Sequence, residues 1–459
     1  MHVAVMIPGI MGTRLLLQPA GDQAEEVWPP TPFEVITGYN RIEKLQRADL
    51  RTGAIIDKVA CYGFYNYLNQ HLAALNFVSG AADRRLVEFA YDWRVDNFTT
   101  AALLAAELDR LETDGATEYS LVCHSMGGLI GRLLLESGTY AAKPWFGKIK
   151  LFAALATPHL GAPLALARIF GLDASTGISG ADFAKLAANR AYPSGYQLIP
   201  APGEAAVWDQ SSADLKPLDP YVVADAVALG LDTFLVERAR QQHAVLAQNA
   251  RPAHVRYFYF GGSGHRTATR VNVVREADGR INHARSVVTR TDAAGDGTVP
   301  LYSALPSIGQ RQIVVNEHAT VFKGDPFRRV FYRLLGGNAG QALEAAMDAM
   351  PGALVLAGSL DSAVYPVGER PELRLTVLTA SGEGSAVEKI AGQLVVQRTD
   401  ETGRAEGAAV NHEVTYAGPP IAGLTLVLGG AVLEPGLYAL AFEGEPSMPV
   451  SLAFAVSAG

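Results

Sequence analysis

The sequence predicts an α/β protein with a mostly parallel sheet and a helical lid insertion, followed by an all-β, sandwich-like domain. Over the first 335 or so residues, short apolar runs alternate with helical stretches, as in a sheet whose strands are joined by crossover helices. Between Ala162 and Arg251 the strand signal vanishes, over too many residues for a simple crossover, which predicts a lid. After Pro351 the apolar residues alternate with period two between Gly/Pro turns. The expected organisation is therefore 1–336, with the insertion at about 162–251, and a second domain at 351–459.

In chain order, Val3–Ile7 is a strand that runs into the turn Pro8-Gly9-Ile10-Met11-Gly12. Leu86–Tyr91 is the next strand, and Ala101–Leu111 has helical composition. Tyr119–Cys123 is a strand followed by an apolar helix over Met126–Glu136. Ile149–Leu155 and Val255–Phe260 read as buried strands, and Gln312–Asn316 as the last of this sheet. Thr269–Glu276 and Ile281–Thr289 flank Asp278-Gly279, a hairpin signal. A short Ala-rich helix is expected over Gln341–Ala349. Beyond it, Leu373/Leu375/Val377, Tyr438/Leu440/Phe442 and Val450/Leu452/Phe454/Val456 mark inward-facing strand positions.

Composition narrows the function. Of 459 residues, 49% are hydrophobic and 18% charged, the reverse of a disordered chain. A net charge of −8 argues against nucleic acid as partner, because phosphate binding needs clustered Lys and Arg. Residues 351–459 hold 5 Lys+Arg and 12 Asp+Glu, a net −7, so nearly all the acidity belongs to the tail. Two cysteines, Cys61 and Cys123, make no disulfide framework. The longest apolar stretch, Ile421–Leu433, is short of the roughly 20 residues of a spanning helix. The N-terminus lacks a basic n-region and is interrupted by Pro8-Gly9, so a cytoplasmic location is expected by default, with signal-independent export open.

The strongest chemical signal is Cys123-His124-Ser125-Met126-Gly127-Gly128, where a strand turns abruptly into a helix. A serine on such a turn is held in a strained backbone conformation with its hydroxyl above the sheet. The pattern departs from G-x-S-x-G in carrying Cys123 at the first position. A hydroxyl needs a positioned base, itself oriented by a carboxylate, and in the order nucleophile, acid, base both come late in the chain. His318, directly after the last strand, is the candidate base, with His159 as the earlier-placed rival. Asp296, between Gly295 and Gly297, is the candidate acid, and Asp292 its rival. Strand–turn geometry should point His124 away from the serine. Backbone N–H groups of Ile10 and Met126 are the expected oxyanion donors.

Together these stretches resemble the lecithin:cholesterol acyltransferase and lysosomal phospholipase family of α/β-hydrolases. The resemblance runs through Ile7–Leu15, Tyr91-Asp92-Trp93-Arg94, His124–Gly128, Thr157–Pro163, Tyr192–Pro200, Gly295–Pro300 and Glu317-His318, covering about residues 3–335. It implies an α/β-hydrolase fold, a catalytic Ser125, Asp296 and His318, and an acyl-enzyme formed on ester lipids and passed to water or an alcohol. Met11, Tyr91, Trp93 and His159 are the expected substrate-contacting residues, and Leu15–Leu17, Trp28, Trp145, Phe170 and Leu172 are further apolar candidates for an acyl pocket.

No cofactor and no metal is expected, since no His/Cys/carboxylate cluster has ligand spacing; a calcium ion near Asp292 and Asp296 is the disfavoured alternative. The expected partners are an ester substrate, a transient membrane-surface contact and a protein that binds 351–459. The competing readings are a carboxylesterase for soluble esters, and a partner-recruited effector targeted by its acidic β domain.

Overall fold

The computed structural model describes residues 1–18, 24–59, 62–63, 65–175, 177–211, 215–337, 354–360, 362, 364–379, 385–400, 403–430, 432–445 and 450–458. The expected helix at Gln341–Ala349 and Cys61 lie outside them.

Six parallel strands form the central sheet, in the order Gln310–Val314, Arg256–Gly262, Ile149–Leu155, Glu118–His124, His2–Ile7, Arg84–Glu88. Its middle strands are apolar in consecutive positions because both faces are covered. Val3, Val5 and Ile7 join one core with Leu104, Leu108, Leu129 and Leu133, from helices Asn97–Thr113 and Met126–Glu136. Ala4 and Met6 face a second core with Leu68, Leu72, Phe327 and Phe331, from helices Asn66–Ala74 and Asp325–Leu334. All the strands being parallel, their C-terminal ends share one edge, where open α/β sheets bind ligands.

The insertion is less purely helical than expected. Helices Pro163–Ile169, Gly180–Ala187, Val223–Ala228 and Thr233–Ala247 are interrupted by strands Val207–Asp209 and Pro217–Leu218. These two join the antiparallel pair His265–Val273 and Val287–Gly295 in a four-stranded sheet. Strands this short leave no periodicity to read, and Val207–Asp209, which joins them to the hairpin, finds its partner there some 60 residues on. The hairpin is present, but its strands reach further out and its connection is longer than an Asp-Gly turn, closing on an Arg275–Ile281 bridge.

The C-terminal residues form two antiparallel-rich sheets of three and five strands, starting at Leu354–Leu360. Leu373, Leu375, Val377, Tyr438, Leu440, Phe442, Val450, Phe454 and Val456 are buried together between them, as the alternation predicts.

Candidate active site

Three loops at one edge of the sheet build the site. The first leaves strand His2–Ile7, and Ile7 pairs with Cys123 in the neighbouring strand, so this loop lies beside Ser125. Ser125 has φ 51° and ψ −126°, a strained conformation for a side-chain-bearing residue. It is held by its N–H donating to Leu155 O at 2.8 Å and by the helix that starts at Met126. The missing first glycine of the pattern is offset one helical turn away: a Cβ on Gly131 would lie 3.0 Å from Cys123 Sγ and 2.8 Å from Phe152. Space for the thiol comes from that glycine.

His318 opens a single turn of 3-10 helix after the last central strand, and its Nδ1–H donates to Asp296 Oδ2 at 2.8 Å. Nε2 is then the acceptor for the Ser125 hydroxyl, 2.9 Å away. Asp296 is buried, and its other oxygen accepts from the N–H of Val299 at 2.7 Å and of Thr298 at 3.0 Å. The carboxylate reaches this position because strand Val287–Gly295 delivers it against Gly262, where a Cβ would fall 2.5 Å from the Asp296 Cβ. Asp292 is instead exposed and pairs with Arg266 at 3.2 Å, away from buried Asp296. Among the described residues no group of three or more His, Cys, Asp or Glu side chains is placed to hold a metal ion.

His124 does point away from the serine, but it is part of the site. Its Nε2–H donates to the backbone carbonyl of His318 at 2.9 Å. Its Nδ1 therefore accepts, from the Tyr65 hydroxyl at 2.8 Å, and Tyr65 in turn accepts the N–H of Gly9 at 2.8 Å. Burial, with the neighbouring His318 second, pushes the His124 pKa down to about 3, so the ring is neutral. Tyr65 was missed in the sequence reading, since a lone tyrosine before a helix carries no motif.

The first loop is clamped from outside by the Tyr-Asp-Trp-Arg stretch. Tyr91 Oη donates to Pro8 O at 2.7 Å, and Trp93 Nε1 to Thr13 O at 3.2 Å. Trp28, edge-on to Trp93, donates from Nε1 to Met11 O at 2.8 Å and holds Met11 at φ 64°. Arg94 is buried against Asp92, with a second hydrogen bond to Arg47 O at 2.8 Å, and stacks over Tyr192. The insertion is fastened by amides: Asn97 Nδ2 donates to Gln242 Oε1 at 2.8 Å, and Gln242 Nε2 to Gln197 O at 2.7 Å.

A cavity of about 1020 Å³ opens over Ser125 and His318. Ile10, Met11, Trp28, Trp93 and Leu172 line it; Tyr91 and His159 are not among its lining residues. His159 is buried edge-on to Tyr259, with Arg132 3.5 Å from Nδ1, and burial drives its pKa well down. Its ring serves the interior behind helix Met126–Glu136. Leu15–Leu17, Trp145 and Phe170 likewise lie off the cavity, with Trp145 donating to Asp109 at 2.7 Å. Met126 begins its helix, where a backbone N–H has no intrahelical acceptor.

The family described as lecithin:cholesterol acyltransferase matches residues 35–251. No curated protein matches the sequence. Among solved structures, that of the Tle4–Tli4 complex is similar with a TM-score of 0.51 at 15% identity, covering 73% of this chain and 97% of that one. The Bacillus licheniformis lipase BlEst2 in its propeptide form has a TM-score of 0.32 at 11% identity, over 98% of this chain and 92% of that one. The product of the Listeria innocua gene lin2722 has a TM-score of 0.32 at 10% identity, over 72% and 92%. At these identities the first likeness is one of fold alone, and the lower two add nothing to it. The resemblance carried by the motifs is thus matched by the lecithin:cholesterol acyltransferase family model over residues 35–251, and the fold of the chain is that of an α/β-hydrolase.

Proposed function

We propose that the protein is a serine hydrolase or O-acyltransferase acting on lipid carboxylic esters through Ser125, His318 and Asp296. The observation that carries this reading is the hydrogen-bonded chain of the three side chains, 2.9 and 2.8 Å long, in a cavity that apolar side chains line alongside charged ones. The family match over residues 35–251 supports the substrate class.

In this reading His318 Nε2 takes the Ser125 proton as Oγ attacks the ester carbonyl. The resulting oxyanion accepts from the N–H groups of Ile10 and Met126, each worth roughly 3–4 kcal/mol. Asp296 stabilises the imidazolium and keeps Nδ1 protonated. Collapse of the intermediate breaks the bond to the alcohol, which leaves with the proton from Nε2. Water or an acceptor alcohol then gives its proton to Nε2 and attacks the acyl-Ser125, releasing the acid or the new ester and restoring the serine. The clamped first loop supports this assignment, because oxyanion donors act only if they are fixed beforehand.

The test incubates wild type and Ser125→Ala with phospholipids, acylglycerols and short esters, with and without a sterol or diacylglycerol acceptor, and reads the products by mass spectrometry. Ser125-dependent release of fatty acid supports hydrolysis, and a new acylated acceptor supports transfer. Turnover confined to short soluble esters would favour a carboxylesterase. Absence of any Ser125-dependent product removes the enzymatic reading and leaves recruitment through 351–459.

A further inference from the structure

The cavity over Ser125 is walled partly by the C-terminal β domain, which the sequence presents as an appendage. Val364, Leu437, Ala453 and Ala455 line it, as do the charged Glu369, Arg370 and Glu372 of the same domain, together with residues of the lid and of the first loop. The junction is built rather than incidental. Helix Pro32–Thr37 stands between the two parts, and its Val35 both lines the cavity and packs with Leu437 and Ala455. The N–H of Ala458 donates to Ile36 O at 2.7 Å. On its catalytic side the helix is held by a capping box of Thr31 and Glu34, by Arg41 on Glu34, and by Tyr39 N–H on Gly177 O at 2.7 Å.

Strand Val450–Ser457 carries the mark of this contact. Phe454 and Val456 face the core of the sandwich, so period-two alternation would leave Ala455 in solvent. Ala455 is instead 5% exposed, because the hydrolase part covers that face. The outward residues over the cavity, Ala453 and Ala455, are small, and the space before them is kept open. Across the cavity Leu164, Leu172 and Phe183 of the lid supply a second apolar wall.

We infer that the β domain is a specificity-determining wall of the active-site cavity, seating the long apolar chain of an ester substrate. The inference rests on the ester-hydrolase reading of the same site. A short acyl group needs only the pocket next to Ser125, whereas a long one must run between the lid and Ala453.

The test replaces Ala453, which touches none of the reacting groups, in the full chain. Ala453→Trp should lower kcat/KM for a p-nitrophenyl decanoate at least about tenfold and change that for the acetate less than about threefold, because filling a preformed pocket acts on the group that occupies it. Binding of a dansyl-labelled fatty acid, read by fluorescence, should weaken in parallel and be indifferent to Ser125→Ala. Ala453→Leu should give a smaller shift of the same sign, and it decides the matter if the Trp variant melts early. A folded variant with an unchanged chain-length profile and unchanged probe binding overturns the wall, as does a wild type that does not bind the probe. A wild type that binds the probe in an Ala453-dependent way but hydrolyses no ester sinks the hydrolase reading and leaves the wall standing.

Discussion

His124, the residue before the proposed nucleophile, donates from Nε2 to the backbone carbonyl of His318, the proposed base, at 2.9 Å. The strand end that presents Ser125 thus also fixes the backbone of His318. Tyr65 extends the link to Gly9, so the three loops of the site are tied by a buried relay of neutral groups.

Ser125→Ala should abolish labelling by a fluorophosphonate and lower turnover by a factor on the order of 10⁴–10⁶, with the melting temperature little changed. The hydroxyl donates one bond, to His318, and its loss leaves the helix and strand as they were. Full-stoichiometry labelling of the variant would show that the nucleophile lies elsewhere.

Asp296→Asn should cost at least about 10³-fold in kcat, since an amide cannot stabilise the imidazolium and imposes the wrong tautomer. Asp292→Asn should stay within about twofold, its carboxylate being exposed and paired with Arg266 across a salt-screened surface. Comparable losses in the two variants would contradict the choice of acid.

Tyr65→Phe removes the acceptor of the Gly9 N–H and the donor to His124 at once. Leaving a buried donor unpaired should destabilise the protein by about 1–3 kcal/mol. It should also loosen the first loop, lowering kcat more than it raises KM. Denaturant melts and steady-state kinetics on one ester check both, and a variant equal to wild type in each would show that the relay is idle.

Stability should fall with acid. The folded pKa of His124, about 3, lies below its ordinary value of 6.5, so the unfolded chain takes up the proton first as pH drops. His124's share is fully present above about pH 6.5 and is lost toward pH 3, at up to about 1.4 kcal/mol per pH unit. Burial lowers His159 and His243 as well, and they act with the same sign. The melting temperature should decline from pH 6 to 4, and His124→Gln should make that decline shallower. An unchanged slope in the variant would show that His124 is not the group being titrated.

How much of this was legible in the chain differs from element to element. Strand Ile149–Leu155 and helix Met126–Glu136 fall where the apolar runs put them, because a strand buried on both faces and a helix buried all round write their burial into consecutive residues. Ser125, Asp296 and His318, which the structure brings into one hydrogen-bonded chain, were legible as candidates because each sits on a short local pattern: a strand–helix turn, a Gly-flanked loop, the end of the last strand. Tyr65, the cavity side of Trp93 as against Tyr91, and the interior placement of His159 could not, since they depend on which loops meet at the edge of a parallel sheet.

Local periodicity by itself determined the parallel sheet, the alternating tail and the strand–helix turn that carries Ser125, all of which are properties of neighbours in sequence. Only the tertiary structure decided that the short strand Val207–Asp209 of the insertion pairs with a hairpin beyond it, and that His124 braces His318. It alone decided that Ala455 is covered by a helix more than 400 positions earlier. Contacts of that range arise from packing one folded surface on another. A small alanine on a strand reads the same in sequence whether water or another domain lies across from it.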